Sequence, residues 1–123
     1  MKLVLPKPPS INHIYGLTSV GGYAHSYITL EGKAWFEECI FKTRMWGLKY
    51  KIPKYAKTKL KVDIELYTNV VGQDLDNINK PVLDLLQKAF IIDNDKYIYE
   101  LHSVKKMCDK EQQRVELSIT PLE

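Results

Sequence analysis

Apolar and polar residues alternate most regularly where Leu60, Val62, Ile64 and Leu66 take turns with Lys61, Asp63 and Glu65. A period of two sends every second side chain to the same face, so the run predicts a strand with one buried and one wet side. Val115, Leu117 and Ile119 alternate with Glu116 and Ser118 in the same way, which predicts a strand over 114–120. Residues 97–107 read as another strand and 109–112 as the turn between them. Leu3, Val4 and Leu5 predict a short first strand, stopped by Pro6, Pro8 and Pro9. Helical spacing replaces alternation at Ile78, Val82, Leu85, Leu86 and Ala89, which share one face. Pro81 is tolerated only in a first turn, so this helix starts near Asn77 or Asn79 and ends near Ala89. Thr29 can cap an earlier helix running to about Gly47, with Trp35, Phe36, Cys39, Ile40 and Phe41 towards one side. Gly21-Gly22 is a turn signal before an extended stretch from Tyr23 to Ile28, while Ser10-Ile11-Asn12 and residues 53–57 read as loops. The order β, (β), α, β, α, β, β predicts an α/β (α+β) fold: one small domain over 1–123, a mixed sheet with two main helices packed on it.

Composition narrows the setting. The 123 residues are 45% hydrophobic and 27% charged, which argues against disordered and low-complexity classes. No apolar run approaches the roughly 18–20 residues that span a bilayer, and Pro6 interrupts the N-terminal apolar residues too early for a signal-peptide core. No membrane association is expected. Cys39 and Cys108 are too few and too far apart for a disulfide framework or a zinc knuckle, so a reducing, cytoplasmic setting is expected.

Charge changes the picture more. The net charge of +3 hides a split: residues 1–61 carry eleven Lys/Arg against three Glu, and residues 62–123 carry seven against twelve Asp/Glu. The basic excess peaks at Lys42, Arg44, Lys49, Lys51, Lys54, Lys57, Lys59 and Lys61, with no acid between them and with Trp46, Tyr50 and Tyr55 interleaved. Basic groups neutralise phosphates and aromatic rings stack on unpaired bases, so the stretch is a candidate DNA-binding surface. A solvated loop joined to the polar face of a strand would have the same composition.

The acidic half holds the candidate chemistry: Asp74-Leu75-Asp76-Asn77-Ile78-Asn79-Lys80, followed by Asp93-Asn94-Asp95. Aspartates at i and i+2 share a side when the backbone is extended. A third carboxylate returning after the helix would complete a site for a hard divalent cation, Mg²⁺ or Mn²⁺. Such an ion activates water and clamps the oxygens of a displacement at phosphorus, and Lys80 can offset charge on the scissile phosphate. The plainer alternative is that Asp-x-Asp-Asn is a helix cap, Lys80 a surface residue paired with Asp84, and Asp93-Asn94-Asp95 a turn. An EF-hand is a poor rival, since the required Gly and Glu positions are missing. His13, His25 and His102 have no motif around them, no Ser/His/Asp set or Gly-rich phosphate loop is present, and Cys39 on its apolar face reads as core.

Taken together, Asp74-Leu75-Asp76-Asn77 with Lys80, a helix, and Asp95 before a strand resemble the RusA family of Holliday junction resolvases. Pro8-Pro9-Ser10-Ile11-Asn12 with Tyr15, Thr29-Leu30-Glu31-Gly32-Lys33-Ala34 before an aromatic, and the C-terminal strand pair extend the resemblance over nearly the whole chain. It implies that Asp74, Asp76 and Asp95 are metal-binding carboxylates and Lys80 a catalytic lysine. Asn94 stands where the family commonly has the first of two adjacent aspartates; Asp95 keeps the usual spacing, and Asp93 is a further carboxylate to which the role can fall. The implied activity is Mg²⁺-dependent hydrolysis of DNA, resolving four-way junctions by paired nicks with 5′-phosphate and 3′-hydroxyl ends, by a homodimer often encoded by phages and prophages. Two readings stand beside it: an inactive branched-DNA-binding accessory protein of phage recombination or replication, and a nuclease with broader branched-DNA preference.

Overall fold

A computed structural model describes residues 1–122. Its strands are β1 (Leu3–Pro6), β2 (Tyr15–Val20), β3 (Tyr23–Ile28), β4 (Leu60–Thr68), β5 (Ile98–Met107) and β6 (Arg114–Pro121). Its helices are α1 (Ile11–Ile14), α2 (Leu30–Lys49) and α3 (Asn79–Lys88), with 3-10 turns at Leu75–Ile78, Asp95–Tyr97 and Lys110–Gln112. Four strands form one mixed sheet in the order β1-β6-β4-β5, and β2 pairs with β3 in a separate hairpin. The expected α+β architecture, a mixed sheet carrying two main helices, is present.

The strict alternation of β4 becomes an inside and an outside. Leu60, Val62, Ile64, Leu66 and Thr68 are buried, and the residues between them are half-buried. The inner face meets Val82, Leu85 and Leu86 of α3, Trp35, Phe36 and Cys39 of α2, and Leu3, Leu5, Val115 and Leu117 of the flanking strands. Within this sheet β4 and β5 run parallel, which requires a crossover, and α3 lies in that crossover. The loop leaving β4 and the turn entering β5 are therefore the two ends of one β-α-β unit.

Thr29 caps α2 as expected, its Oγ1 accepting from the Gly32 N–H at 3.0 Å. Thr29 also ties the helix to the preceding segment: its N–H donates to the Ile14 carbonyl at 2.8 Å. Gly32 sits under that carbonyl, where an added Cβ would lie 2.7 Å from the Ile14 oxygen, so α2 reaches this depth only with glycine there.

Several expectations change. The predicted loop at Ser10-Ile11-Asn12 enters a single helical turn, α1, which buries Ile14. The extended stretch before helix α2 is the second arm of a hairpin whose first arm, Tyr15–Val20, lacks alternation. Gly21 and Gly22, at φ 60° and 84°, supply the two left-handed positions that a tight two-residue hairpin needs. Phe41 is 67% exposed instead of sharing the buried side of α2, because its position on the helix turns it away from the sheet.

Candidate functional site

The Asp-x-Asp run sits between β4 and α3. Gln73 and Asp74 end the loop after β4, and Leu75–Ile78 then form a 3-10 turn that leads into α3 and packs against β5. Three side chains, Lys105, Thr68 and Lys7, hold this approach. Lys105 of β5 donates from Nζ to the Val71 carbonyl at 2.9 Å and to the Gln73 carbonyl at 3.0 Å. Thr68, fully buried at the end of β4, bonds through Oγ1 to Gln73 Oε1 at 3.1 Å and to Gln113 Oε1 at 3.2 Å. Lys7 donates to the same Gln113 oxygen at 2.8 Å. Farther on, Asn79 Oδ1 accepts from Ser103 Oγ at 2.7 Å, pinning the start of α3 to β5.

Asp74 occupies the position before the turn, yet its side chain makes no capping bond; the turn is closed instead by the Asn77 N–H on the Asp74 carbonyl. Helix capping therefore does not use up the Asp74 carboxylate. Asp76 is exposed in the turn, and neither aspartate forms an ion pair among the described residues.

Lys80 lies in the first turn of α3 and does pair with Asp84, Nζ to Oδ2 at 3.4 Å. The same Asp84 oxygen accepts a hydrogen bond from Tyr15 Oη at 2.5 Å, and the Lys80 ammonium stands 4.5 Å from the centre of the Tyr15 ring. Partial burial, reinforced by the neighbouring Asp84 carboxylate, raises the Tyr15 phenol above its ordinary pKa, so it stays a proton donor. Sequence spacing offered the Lys80–Asp84 pair; Tyr15, distant in sequence, joins it only through the fold.

Asp95 opens the next 3-10 turn at the other end of α3. Its N–H donates to Gln87 Oε1 at 3.3 Å, in the last turn of a helix that at ten residues is about 15 Å long. Asn94 caps this turn, its side chain accepting from the Lys96 N–H at 2.9 Å. Asp93 is paired with Lys54, Nζ to Oδ1 at 3.3 Å, whereas Asp95 has no ion pair among the described residues. Among those residues, no three His, Cys, Asp or Glu side chains are placed to hold one metal ion. The expected convergence at a single helix end is thus not seen: α3 separates Asp74 and Asp76 from Asp95.

The basic stretch reaches the Asp93–Asp95 end of the unit. Tyr55 donates its N–H to the Ile91 carbonyl at 2.8 Å and forms a parallel bridge with Ile92, which brings Lys54 to Asp93. The eight basic residues have different neighbours. Arg44 and Lys54 flank Phe90, each 5.7 Å from the ring centre. Lys42 and Lys49 line a different groove beside β1. Lys59 lies over Tyr99, and Lys61 stands 4.0 Å from Asp63. Lys51 and Lys57 are exposed and take left-handed backbone, φ 54° and 51°. Of the interleaved aromatics, Trp46 is only 8% exposed and belongs to the core, and Tyr55 is half-buried; Tyr50 is at the surface with Lys49 over its ring. Cys39 is fully buried as expected, and burial pushes its thiol up to about 12. No helix among the described residues is long and apolar enough to cross a membrane.

The family profile described as Endodeoxyribonuclease RusA matches residues 25–120. The chain is also similar to a protein of Aquifex aeolicus (strain VF5) described as crossover junction endodeoxyribonuclease RusA, 38% identical over 66 residues. That alignment covers 53% of this chain and 52% of the relative, so it spans about half the length of the curated protein it matches. The family match takes in α2, the whole β-α-β unit with Asp74, Asp76, Lys80 and Asp95, and nearly all of β6; on that extent, the chain belongs to the RusA endodeoxyribonuclease family.

Proposed function

We propose that the protein is a divalent-metal-dependent endodeoxyribonuclease that resolves four-way DNA junctions by paired, symmetric nicks. The observation that carries this reading is the state of Asp74. It stands at a turn entry where a carboxylate ordinarily caps, it does not cap, and with Asp76 it is exposed and free of ion pairs among the described residues. Hard carboxylate oxygens suit Mg²⁺, with Mn²⁺ as a substitute. Mg²⁺ commonly takes one or two protein carboxylates and fills its remaining positions with water and substrate phosphate. Asp74 and Asp76 would hold it together with the scissile phosphate. We assign the role of third carboxylate to Asp95 in preference to Asp93, whose oxygen is engaged by Lys54; in the structure α3 lies between Asp95 and the Asp74–Asp76 pair. When bound, the ion supplies a more acidic water and charge compensation at phosphorus.

The chain's own residues do the rest. Hydrolysis forms a bond from water oxygen to phosphorus and breaks the bond from phosphorus to the 3′ oxygen, leaving 5′-phosphate and 3′-hydroxyl ends. Lys80, steered by Asp84 and by the Tyr15 ring, faces the negative charge that grows on the leaving 3′ oxygen. Two such sites in a homodimer match the symmetry of a junction. We assign the contact between copies to β5, a ten-residue edge strand with Tyr99, Leu101, Val104 and Met107 exposed, because a long open edge is a template for pairing. A DNA substrate places the protein in the cytoplasm of a bacterial or phage-infected cell.

The test uses a labelled synthetic four-way junction beside a flapped and a linear duplex of the same sequence, each with wild type in Mg²⁺, with wild type in EDTA, and with Asp76→Asn in Mg²⁺. Symmetric nicks in the junction alone, lost with EDTA and with Asp76→Asn, are expected. Tight junction binding without cuts in Mg²⁺ or Mn²⁺ would overturn the nuclease reading in favour of an accessory DNA-binding protein. Equal cutting of flaps and other branches would replace the resolvase by a broader nuclease.

A further inference from the structure

Phe90 is built against its own local interests. It follows Ala89, the C-cap of α3, and holds φ at +60°, a left-handed conformation that helix ends usually give to glycine and that a side chain makes costly. Its neighbours explain how the strain is retained. Ala89, Ile91 and Ile92 are all buried, and the N–H groups of Phe90, Ile91 and Ile92 are bonded back to carbonyls of the last turn of α3. The ring gains little in return, since it is 60% exposed. The backbone is thus fixed from both sides while a large apolar ring projects into solvent, where glycine would serve the fold better.

What surrounds the ring points to a ligand. Arg44 from α2 and Lys54 from the loop before β4 each approach to 5.7 Å of its centre. Between them lies a groove of about 230 Å³, floored by Gly47, Ile52 and Ile91. An apolar protein segment would have to desolvate both cations, and a simple anion has no use for the ring. A nucleobase with its flanking phosphates satisfies both features. Cation–π contacts at exposed sites are weak, so Arg44 and Lys54 can leave the ring for phosphates while the ring stacks on the base. Lys54 also touches Asp93, which puts this groove beside the turn that carries Asp95.

We propose that Phe90, bracketed by Arg44 and Lys54, is a stacking platform for an unpaired base at the branch point of the DNA substrate. The inference rests on the DNA-binding reading above and deepens it by naming where a splayed base sits.

The test pairs thermal unfolding with fluorescence-anisotropy binding to a four-way junction and to linear duplex, for wild type, Phe90→Gly, Phe90→Leu and Phe90→Trp. Phe90→Gly should raise Tm by a few degrees, because the left-handed strain is relieved. It should also weaken junction binding by roughly five- to a hundredfold, the range for losing one base stack, with much less effect on duplex, whose bases are paired. Phe90→Leu should lose junction affinity similarly and Phe90→Trp should keep it. Junction affinity unchanged in Phe90→Gly, full affinity in Phe90→Leu, or an equal loss on duplex would each overturn the platform. A changed sedimentation coefficient with unchanged DNA binding would overturn it in favour of a protein interface. No junction binding by wild type would count against the DNA reading itself, a result distinct from the others.

Discussion

Replacing Gly32 by alanine adds one methyl group where α2 passes closest to α1. On a helix exposed to water this change would stabilise, since alanine is about 1 kcal/mol better than glycine in a helix interior. Here the new Cβ would lie 2.7 Å from the Ile14 carbonyl oxygen and 3.0 Å from both Cα and Cγ2 of Ile14. Two of the three atoms are backbone and cannot rotate aside. The carbonyl is further held by the Thr29 N–H at 2.8 Å and Thr29 Oγ1 at 3.2 Å, so yielding loosens the cap of α2. Overpacking costs about 1–3 kcal/mol and a weakened hydrogen bond about 1 more, which outweighs the propensity gain and leaves a net loss of about 1–3 kcal/mol. For a chain of this size that lowers Tm by roughly 5–10 °C. Thermal unfolding followed by tryptophan fluorescence measures it directly, because Trp35 is buried one turn further along the same helix. A Tm equal to or above wild type would refute the reasoning, since it would mean that α2 and α1 separate freely. The consequence reaches the site: Ile14 precedes Tyr15, so a displaced α1 also loosens the Tyr15–Asp84–Lys80 cluster.

Other outcomes follow from the same geometry. Glu65, on the open face of the sheet, is bonded by Lys106, Lys2 and Tyr67, and the two ammonium groups hold its carboxyl down at about 2. A depressed carboxyl stabilises the fold above its ordinary pKa near 4.5 and loses that contribution as pH falls towards 2. Glu65→Gln should therefore cost on the order of 1 kcal/mol at pH 7, given solvent screening, with the Tm difference from wild type closing by pH 2. Tyr15→Phe and Asp84→Asn should each lower kcat for junction cleavage about tenfold or more, with Kd for the junction and Tm little changed, while Asp84→Glu recovers part of the rate; equal losses in binding and rate would show that the cluster does not steer Lys80. Lys105→Met removes both bonds to the loop before Asp74 and should lower cleavage without lowering junction affinity, measured on the same labelled substrate.

What could be read from the chain alone was whatever depends on near neighbours. Period-two alternation specifies which face of β4 and β6 is buried, because a strand's side chains alternate whatever it pairs with. Thr29, Gly21-Gly22 and the early position of Pro81 likewise act through bonds and dihedrals a few residues long. The motif Asp-x-Asp-Asn with Lys80 and a later Asp95 was also visible, as residue types at a spacing.

Placement was decided by tertiary structure. β5 carries no alternation because it lies at a sheet edge with most of both faces in solvent, and its parallel pairing with β4 exists only because α3 spans the crossover. That same helix, about 15 Å long, holds Asp95 apart from Asp74 and Asp76, a distance no spacing rule contains. Tyr15 meets Asp84 across 69 positions, and Lys54 meets Asp93 through the bridge of Tyr55 to Ile92. Trp46 sank into the core while Phe90, unremarked in the sequence, stood out from it, because buried neighbours on both sides fix its backbone. Local rules assign a residue its conformation and its face. Which distant residue it meets there depends on how the sheet is ordered and where the crossover helix lies.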